Sequence, residues 1–337
     1  MSFTTTLRPG ERLVWGAVMA LRGWPRVLPR DRDLTLVFTD VKGSVTLFER
    51  HGDAEAREVT RAIERVLSSC IHAHQGEVIE RIGDSIFAAF TDAEEAARCV
   101  IAMQDCLRRW KTESSPRIRP GVRIGAHLGR LLVEDRYLVG HTVNVAARVM
   151  GMCDVDEAVI SGPLFEKLGA DLAARFRPIG PFVPRGSASL IELHRWRAPW
   201  KEASETSNMG STEGILCPDL REWAWQAKTG GEEYTIAGMG PENRSVWFRI
   251  GGTLMTLGRD LECDVRLQET GVGKGIGRKH AGFAVSRGKP WVFDLGGRGG
   301  ILLSYPDRGR CWKVQQRAPL VSGTILRTGS LSWQVSE

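Results

Sequence analysis

Leu34-Thr-Leu-Val-Phe-Thr-Asp40-Val-Lys-Gly-Ser44 is an apolar, strand-like run that ends on a carboxylate and then a glycine turn. Glu77-Val-Ile-Glu-Arg-Ile-Gly83-Asp84-Ser-Ile-Phe-Ala-Ala-Phe90 repeats the device, with two strand-like runs around a Gly-Asp turn. Oxygen ligands on two separate turns suit Mg²⁺ or Mn²⁺, hard cations that bind a few carboxylates together with substrate phosphates. Either aspartate by itself also reads as an ordinary turn residue. The pair gains meaning only from the sequence around it.

From Leu34 to about Trp196, strand and helix patterns alternate. The strand at 34–39 precedes a predicted helix over 53–73, with Val59, Ile63, Val66 and Cys70 on one face. After the hairpin 77–90, a second helix opens at Asp92. Glu95, three residues on, makes a capping-box arrangement there, and Ala96, Val100, Met103 and Leu107 point inward. Residues 122–128 read as a strand, 143–150 as a helix and 157–160 as a strand, with Ser161 capping a short helix. Strands near 175–179 and 189–195 close the unit. Hairpins mixed with helices indicate an α+β sandwich in preference to a doubly wound parallel sheet.

A chain of 337 residues is long enough for two domains, each with its own core. The expected division is a leader (1–32), an α+β domain (33–197), a polar, turn-rich linker (198–244) and a β-sandwich domain (245–337). Short strand-like runs at 245–250, 253–257, 282–286, 291–293, 301–304 and 311–314, between Gly-rich turns, carry the sandwich reading. Trp223 and Trp225 are placed to pack on a neighbouring domain. The apolar stretch Leu13–Leu21 is far shorter than the ~20 residues of a membrane span, leaving a short docking helix or a membrane-surface or signal-like role. Seven cysteines without ligand-like spacing suggest reduced thiols in a cytoplasmic protein, with neither a disulfide framework nor a zinc site. The net charge of +6 suits an anionic nucleotide, while dispersed basic residues argue against nucleic acid.

A third segment completes the N-terminal pattern. Gly140-His-Thr-Val-Asn144-Val-Ala-Ala-Arg148 puts Asn144 and Arg148 four apart, on one helix face. It follows a strand containing Gly125-Ala-His127-Leu-Gly129. With the two aspartates, these motifs resemble the class III adenylyl/guanylyl cyclase catalytic domain, whose core is ferredoxin-like. That resemblance implies that Asp40, the Val41 carbonyl and Asp84 hold two Mg²⁺ or Mn²⁺ ions on a nucleoside triphosphate. Asn144 would position the ribose, and Arg148 would stabilise charge on the α-phosphate. Backbone N–H groups at Gly43 and Ser44 would meet phosphate oxygens. The family's late triphosphate lysine corresponds to Arg185 here, which also reads as a surface arginine. The resemblance further implies a head-to-tail homodimer with composite sites.

The family's base-selecting positions are Glu80 and Tyr137. Guanine offers N–H donors to a carboxylate, whereas the acceptor N1 of adenine would be repelled by it, so Glu80 favours GTP over ATP. The alternative is an exposed strand residue at Glu80, paired with Arg81 or a neighbour. Tyr137 matches neither family pattern: its hydroxyl could donate to guanine O6, or its ring could fill space.

Residues from about 245 resemble a forkhead-associated (FHA) domain, a phosphothreonine-binding sandwich, through Gly258-Arg259, Cys263-Asp264-Val265, Arg278-Lys-His280-Ala281, Asp294-Leu295-Gly296 and Leu320-Val-Ser-Gly323. Arg259 is the retained phosphate-binding arginine of that pattern. The family serine is Gly277 here and the family asparagine is Gly299, removing two hydrogen bonds, with Arg278 or Arg298 available to compensate. His280 reads as a structural hydrogen-bonder. Together these readings point to a guanylyl cyclase with a C-terminal FHA-like regulatory domain. The alternatives are an adenylyl cyclase, a nucleotide-binding scaffold, or a phosphopeptide adaptor.

Overall fold

The computed structural model describes residues 19–20, 30–114, 116, 118–134, 137–184, 189–197, 233–239, 245–267, 276–297, 299–306, 308, 311–329 and 331–337. The chain forms two compact units, Met1–Ile179 with Glu192–Thr206, and Gly180–Ile191 with Ser207–Glu337. The segment 180–191, expected in the first domain, therefore groups with the second.

In the first unit, β1 (Met19–Ala20), β2 (Arg30–Val41), α1 (Ser44–His51), α2 (Asp53–Ala73), β3 (Glu77–Ile82), β4 (Ser85–Phe90) and α3 (Ala93–Glu113) come first. They are followed by β5 (Val122–Glu134), β6 (Tyr137–Val139), α4 (His141–Gly151), β7 (Glu157–Ser161), α5 (Gly162–Phe165), α6 (Ala170–Ala173), β8 (Arg177–Phe182), which ends in the second unit, and β9 (Ile191–Arg197), which begins there. The main sheet runs β3-β4-β2-β5-β7-β9-β8, with β6 on β5 and β1 on β6. In this sheet β5 and β7 pair parallel, whereas β2 pairs antiparallel with both β4 and β5. The mixed α+β architecture agrees with the expectation.

Side-chain alternation along β2 feeds two cores. Val37 and Val41 pack with α2 and α3, whereas Leu34, Leu36 and Phe38 pack with Val143, Ala146 and Met150 of α4. The sheet therefore has α2 and α3 on one face and α4 on the other. Buried Gln104 of α3 ties β5 to β7, its Nε2 donating to the carbonyls of Val122 and Glu157 at 3.0 Å each.

Several expectations shift. The β2 strand begins at Arg30, and α1, absent from the sequence reading, fills the turn after Gly43. In α2, Leu67 takes the fully buried place and Val66 only the margin. Asp92 caps α3 by accepting from Glu95 N at 3.0 Å, but the Glu95 carboxylate turns to His74 Nδ1 at 2.8 Å, so the capping box is half formed. Ser161 stands at the N-cap of α5 without a capping bond; its Oγ meets His127 Nδ1 at 2.8 Å instead. Of the stretch 13–21, Met19 and Ala20 are described, and they form strand β1 against Leu138 and Tyr137 where a helix was expected. Trp223 and Trp225 lie outside the described residues.

In the second unit, β10 (Tyr234–Met239), β11 (Ser245–Ile250), β12 (Met255–Gly258), β13 (Val265–Arg266), β14 (Lys279–Ser286) and β15 (Lys289–Asp294) precede β16 (Ile301–Ser304), β17 (Cys311–Val314), β18 (Arg317–Pro319), β19 (Ile325–Thr328) and β20 (Leu331–Ser336). A six-stranded sheet, β11-β10-β20-β19-β16-β17, and a five-stranded sheet, β13-β12-β14-β15-β18, share a core containing Tyr234, Phe283 and Trp333. The all-β expectation holds, but β10 occupies sequence read as linker. Tyr234 and Ile236 alternate into that core, a two-residue period too short to stand out beside a polar stretch.

Candidate active site

Asp40 is the last even-numbered residue of β2, so it follows Leu36 and Phe38 onto the α4 face of the sheet. Directly opposite on β5 stands Arg123. Its Nε donates to Asp40 Oδ2 at 3.0 Å, with a second, closer contact from Nη2 to the same oxygen. Arg123 was not singled out in the sequence. Its only signal was the position two residues before Gly125, and its meaning appears once cross-strand register sets it against a candidate metal ligand.

Asp84 occupies the β3–β4 turn, where Gly83 takes φ +64°. The Asp84 pKa is raised, chiefly by burial and further by the Asp40 charge; hydrogen bonds from Ser44 and its own backbone, with the Arg123 charge, oppose the rise. The two carboxylates are thus near enough to feel one another, as a shared cation site requires. Asp84 Oδ2 is buried and has no hydrogen-bond partner. A buried, unsatisfied anionic oxygen beside a second carboxylate fits a divalent cation. Among the described residues no cluster of three or more His, Cys, Asp or Glu could hold a metal. Further oxygens must come from the backbone, water or substrate, which suits Mg²⁺ or Mn²⁺ bound with a triphosphate. Val41 ends β2 next to Asp40, and Gly43 caps α1, which opens at Ser44.

A β-bulge brings Glu80 into the same region. Val78 pairs with Ala88, but Glu80 pairs with Phe87, so Ile79 is the extra residue. Without the bulge Glu80 would follow Val78 toward α2. With it, Glu80 takes the face of Phe87, whose ring stacks on Phe38 at 4.4 Å, one pleat from Asp40. Glu80 is exposed, as the alternative reading has it, but it does not pair with Arg81, which turns to the other face and contacts Glu64 and Ser68. The backbone of Tyr137 lies in β6 opposite Glu134. Arg185 lies outside the described residues.

Helix α4 lies closely on this sheet face because β5 lacks side chains where it crosses. A Cβ on Gly125 would come within 2.2 Å of the Met150 backbone, and one on Gly129 within 2.8 Å of Thr142 Cγ2. Asn144 and Arg148 are half-buried on α4, among buried Val143, Val145, Ala147 and Val149. Between the two glycines, His127 is buried, and desolvation together with the nearby His141 pushes its pKa down to about 4. The imidazole is therefore neutral at pH 7 and serves as a structural partner of Ser161.

The same residues match a known family. Residues 28–181 match the family model described as Adenylate and Guanylate cyclase catalytic domain. This segment is thus similar to nucleotide cyclase catalytic domains over somewhat less than half of the chain. Curated relatives include a putative adenylate cyclase 3 of Rhizobium meliloti, 26% identical over 54% of this chain and 31% of the relative. An uncharacterized protein of Mycobacterium bovis is 32% identical over 40% of this chain and 44% of its own length. The chain thus spans less than half of either relative. Among solved structures, an adenylate/guanylate cyclase/hydrolase from Silicibacter pomeroyi is 21% identical, covering 50% of this chain and 99% of that one, with a TM-score of 0.46.

Outside the matched segment, the candidate phosphopeptide residues of the second unit are placed less favourably. Arg259 is engaged with its own loop, its Nε donating to the Ile276 carbonyl at 2.8 Å. Arg278 is exposed, and Arg298 lies outside the described residues. A Cβ on Gly277 would meet Gly297 Cα at 2.9 Å. A serine there could not be accommodated without moving backbone. His280 holds this loop, accepting from Gly277 N at 3.0 Å through Nδ1 while Nε2 contacts the Gly300 carbonyl at 3.1 Å, in agreement with its structural reading.

Proposed function

We propose that the chain is a nucleotide cyclase that converts GTP to cyclic GMP and pyrophosphate. The observation that carries this reading is the buried, unpartnered Oδ2 of Asp84 in the β3–β4 turn, within reach of the Asp40 charge at the end of β2. Asp40, Asp84 and the Val41 carbonyl would hold two divalent cations, Mg²⁺ or Mn²⁺, which when bound favour ionisation of the ribose 3′-hydroxyl and neutralise the leaving pyrophosphate. In the reaction the 3′-oxygen forms a bond to the α-phosphorus in line while the bond to pyrophosphate breaks.

The protein's own groups supply position and charge. Arg123 orients Asp40 through Oδ2, leaving Oδ1 for other partners, and adds a cation beside the triphosphate. Ser44 fixes Asp84, and the backbone N–H groups of Gly43 and Ser44 are offered to phosphate oxygens. Asn144 orients the ribose and Arg148 takes up charge on the α-phosphate, each acting on the partner subunit's metal pair in a head-to-tail homodimer. Arg185 supplies further charge to the triphosphate.

Glu80, on the bulge, accepts from guanine N1–H and N2–H, and Tyr137 flanks the base. A carboxylate beside adenine N1 would repel it, which is the physical ground for preferring GTP. The second unit is read as an FHA-like regulatory module. With Arg259 tied to Ile276 and no space for a hydroxyl at Gly277, phosphothreonine recognition through the family's usual contacts is disfavoured.

Incubation of the purified chain with Mn²⁺ or Mg²⁺ and either triphosphate, followed by identification of the cyclic product, tests the proposal. Cyclic GMP is expected. Cyclic AMP alone would overturn the role of Glu80 and leave an adenylyl cyclase. Absence of both products would leave a nucleotide-binding scaffold.

A further inference from the structure

The outer face of α2 carries a pattern that cyclisation does not use. Arg57, Arg61 and Arg65 recur every fourth residue, are all exposed, and line a groove of about 1000 Å³ with Arg81 of β3 at its side. At 1.5 Å rise per residue, successive guanidinium groups stand about 6 Å apart along one ridge. Arg81 is already held by Glu64 and donates to Ser68 Oγ at 3.3 Å. Among the described residues, the three ridge arginines take part in no ion pair; Arg65 Nε reaches only the Arg61 carbonyl at 3.4 Å. The other side of α2 buries Ala56, Val59, Ile63 and Leu67 against the sheet face opposite α4. The groove therefore lies on the α2 side of the sheet, whereas Asp40 follows the opposite face; Arg81 at the groove's edge adjoins Glu80 in β3, with the two side chains on opposite faces.

We propose that this groove docks an acidic helix of a partner protein, with carboxylates at every fourth residue matching the arginine ridge. Glu58 and Glu64 also line the groove. A continuous polyanion, such as a nucleic acid or an anionic membrane, would press negative charge against both. A helix that presents carboxylates singly can pair each arginine and set a neutral or basic residue against each glutamate. The i, i+4 spacing of the arginines matches the repeat of side chains along a second helix, a register that a fluid lipid surface does not have. The complex forms through several exposed ion pairs, so its affinity depends on salt and on register.

The test uses the full chain and two labelled synthetic helical peptides of identical composition, followed by fluorescence anisotropy. One peptide carries glutamate at every fourth residue; in the other the glutamates are spread around the helix. The registered peptide is expected to bind at least about tenfold more tightly, with affinity falling as salt rises. The R57E/R61E/R65E variant is expected to weaken that binding at least tenfold while keeping the parent circular dichroism spectrum and Tm. R57Q/R61Q/R65Q serves as the second variant if charge reversal impairs folding. Equal affinity for the two peptides, or unchanged binding by a folded variant, would overturn the proposal. Tighter arginine-dependent binding of a DNA duplex or of phosphatidylserine vesicles than of the registered peptide would also overturn it.

Discussion

Asp84 illustrates how one side chain can oppose stability and serve chemistry. Its carboxylate is partly buried, has an unpartnered oxygen and sits within reach of the Asp40 charge, so its ionised form is disfavoured in the folded protein without a cation. Asp84→Asn keeps shape and the Ser44 contact while removing the charge. It is expected to raise the metal-free Tm, by the equivalent of roughly 1 kcal/mol, and to abolish both cyclisation and the Tm increase on adding Mn²⁺ with nucleotide. Thermal melts with and without Mn²⁺ check this. His127 gives a pH signature of opposite origin. Its folded pKa of about 4 lies below the 6.5 of a free imidazole, so the unfolded chain binds the proton first as pH falls. Its contribution to stability is complete above pH 6.5 and is lost as pH drops toward 4, a few kcal/mol at most on the order of 1.4 per pKa unit. In His127→Gln, the fall in unfolding free energy between pH 6.5 and 4 should be visibly shallower in urea titrations. At this scale the aspartates and His127 were legible from sequence, each fixed by its own strand or turn. Arg123 and the Ser44–Asp84 bond were not, because their significance lies in what faces them.

Two elements position the site, and each does so by a local irregularity. The bulge at Ile79 sets Glu80 opposite Phe87, on the face of α4. Glu80→Lys is expected to move the ratio of ATP to GTP turnover toward ATP by at least about tenfold, measured as kcat/KM for each. An unchanged ratio would remove Glu80 from base recognition. The second irregularity is the side-chain-free stretch of β5 beneath α4. In Gly125→Ala the new methyl would meet the Met150 backbone at 2.2 Å, so α4 must lift. The expected result is a stability loss of about 1–3 kcal/mol and a larger proportional loss of kcat, since Asn144 and Arg148 ride on that helix. Periodicity identified α4 and β5 themselves, and the glycines were visible in the motif. What sequence could not show was that the same two glycines are contact points, because only packing brings residue 150 over residue 125.

At the scale of the whole molecule, the proposed homodimer makes a distinctive prediction. Asp40→Ala and Arg148→Ala proteins, each inactive alone, should regain activity on mixing, because half of the dimers would be heterodimers and each heterodimer would carry a single intact site. The expected recovery approaches a quarter of the parent rate at equal mixing, and its absence would place all roles within one subunit. The order of an α+β unit before an all-β unit was determined by the sequence alone: the switch from helical period to short alternating runs is a local property of the chain. So were the two turn aspartates and the Asn144–Arg148 spacing, which depend on residues a few positions apart. The tertiary structure alone decided that Arg123 faces Asp40, that Glu80 leaves the α2 face, that Tyr234–Met239 joins the sandwich, and that three arginines border an open groove. Each of these rests on register between strands or packing between elements distant in sequence, where the deciding free energy belongs to the pair and to neither segment taken singly.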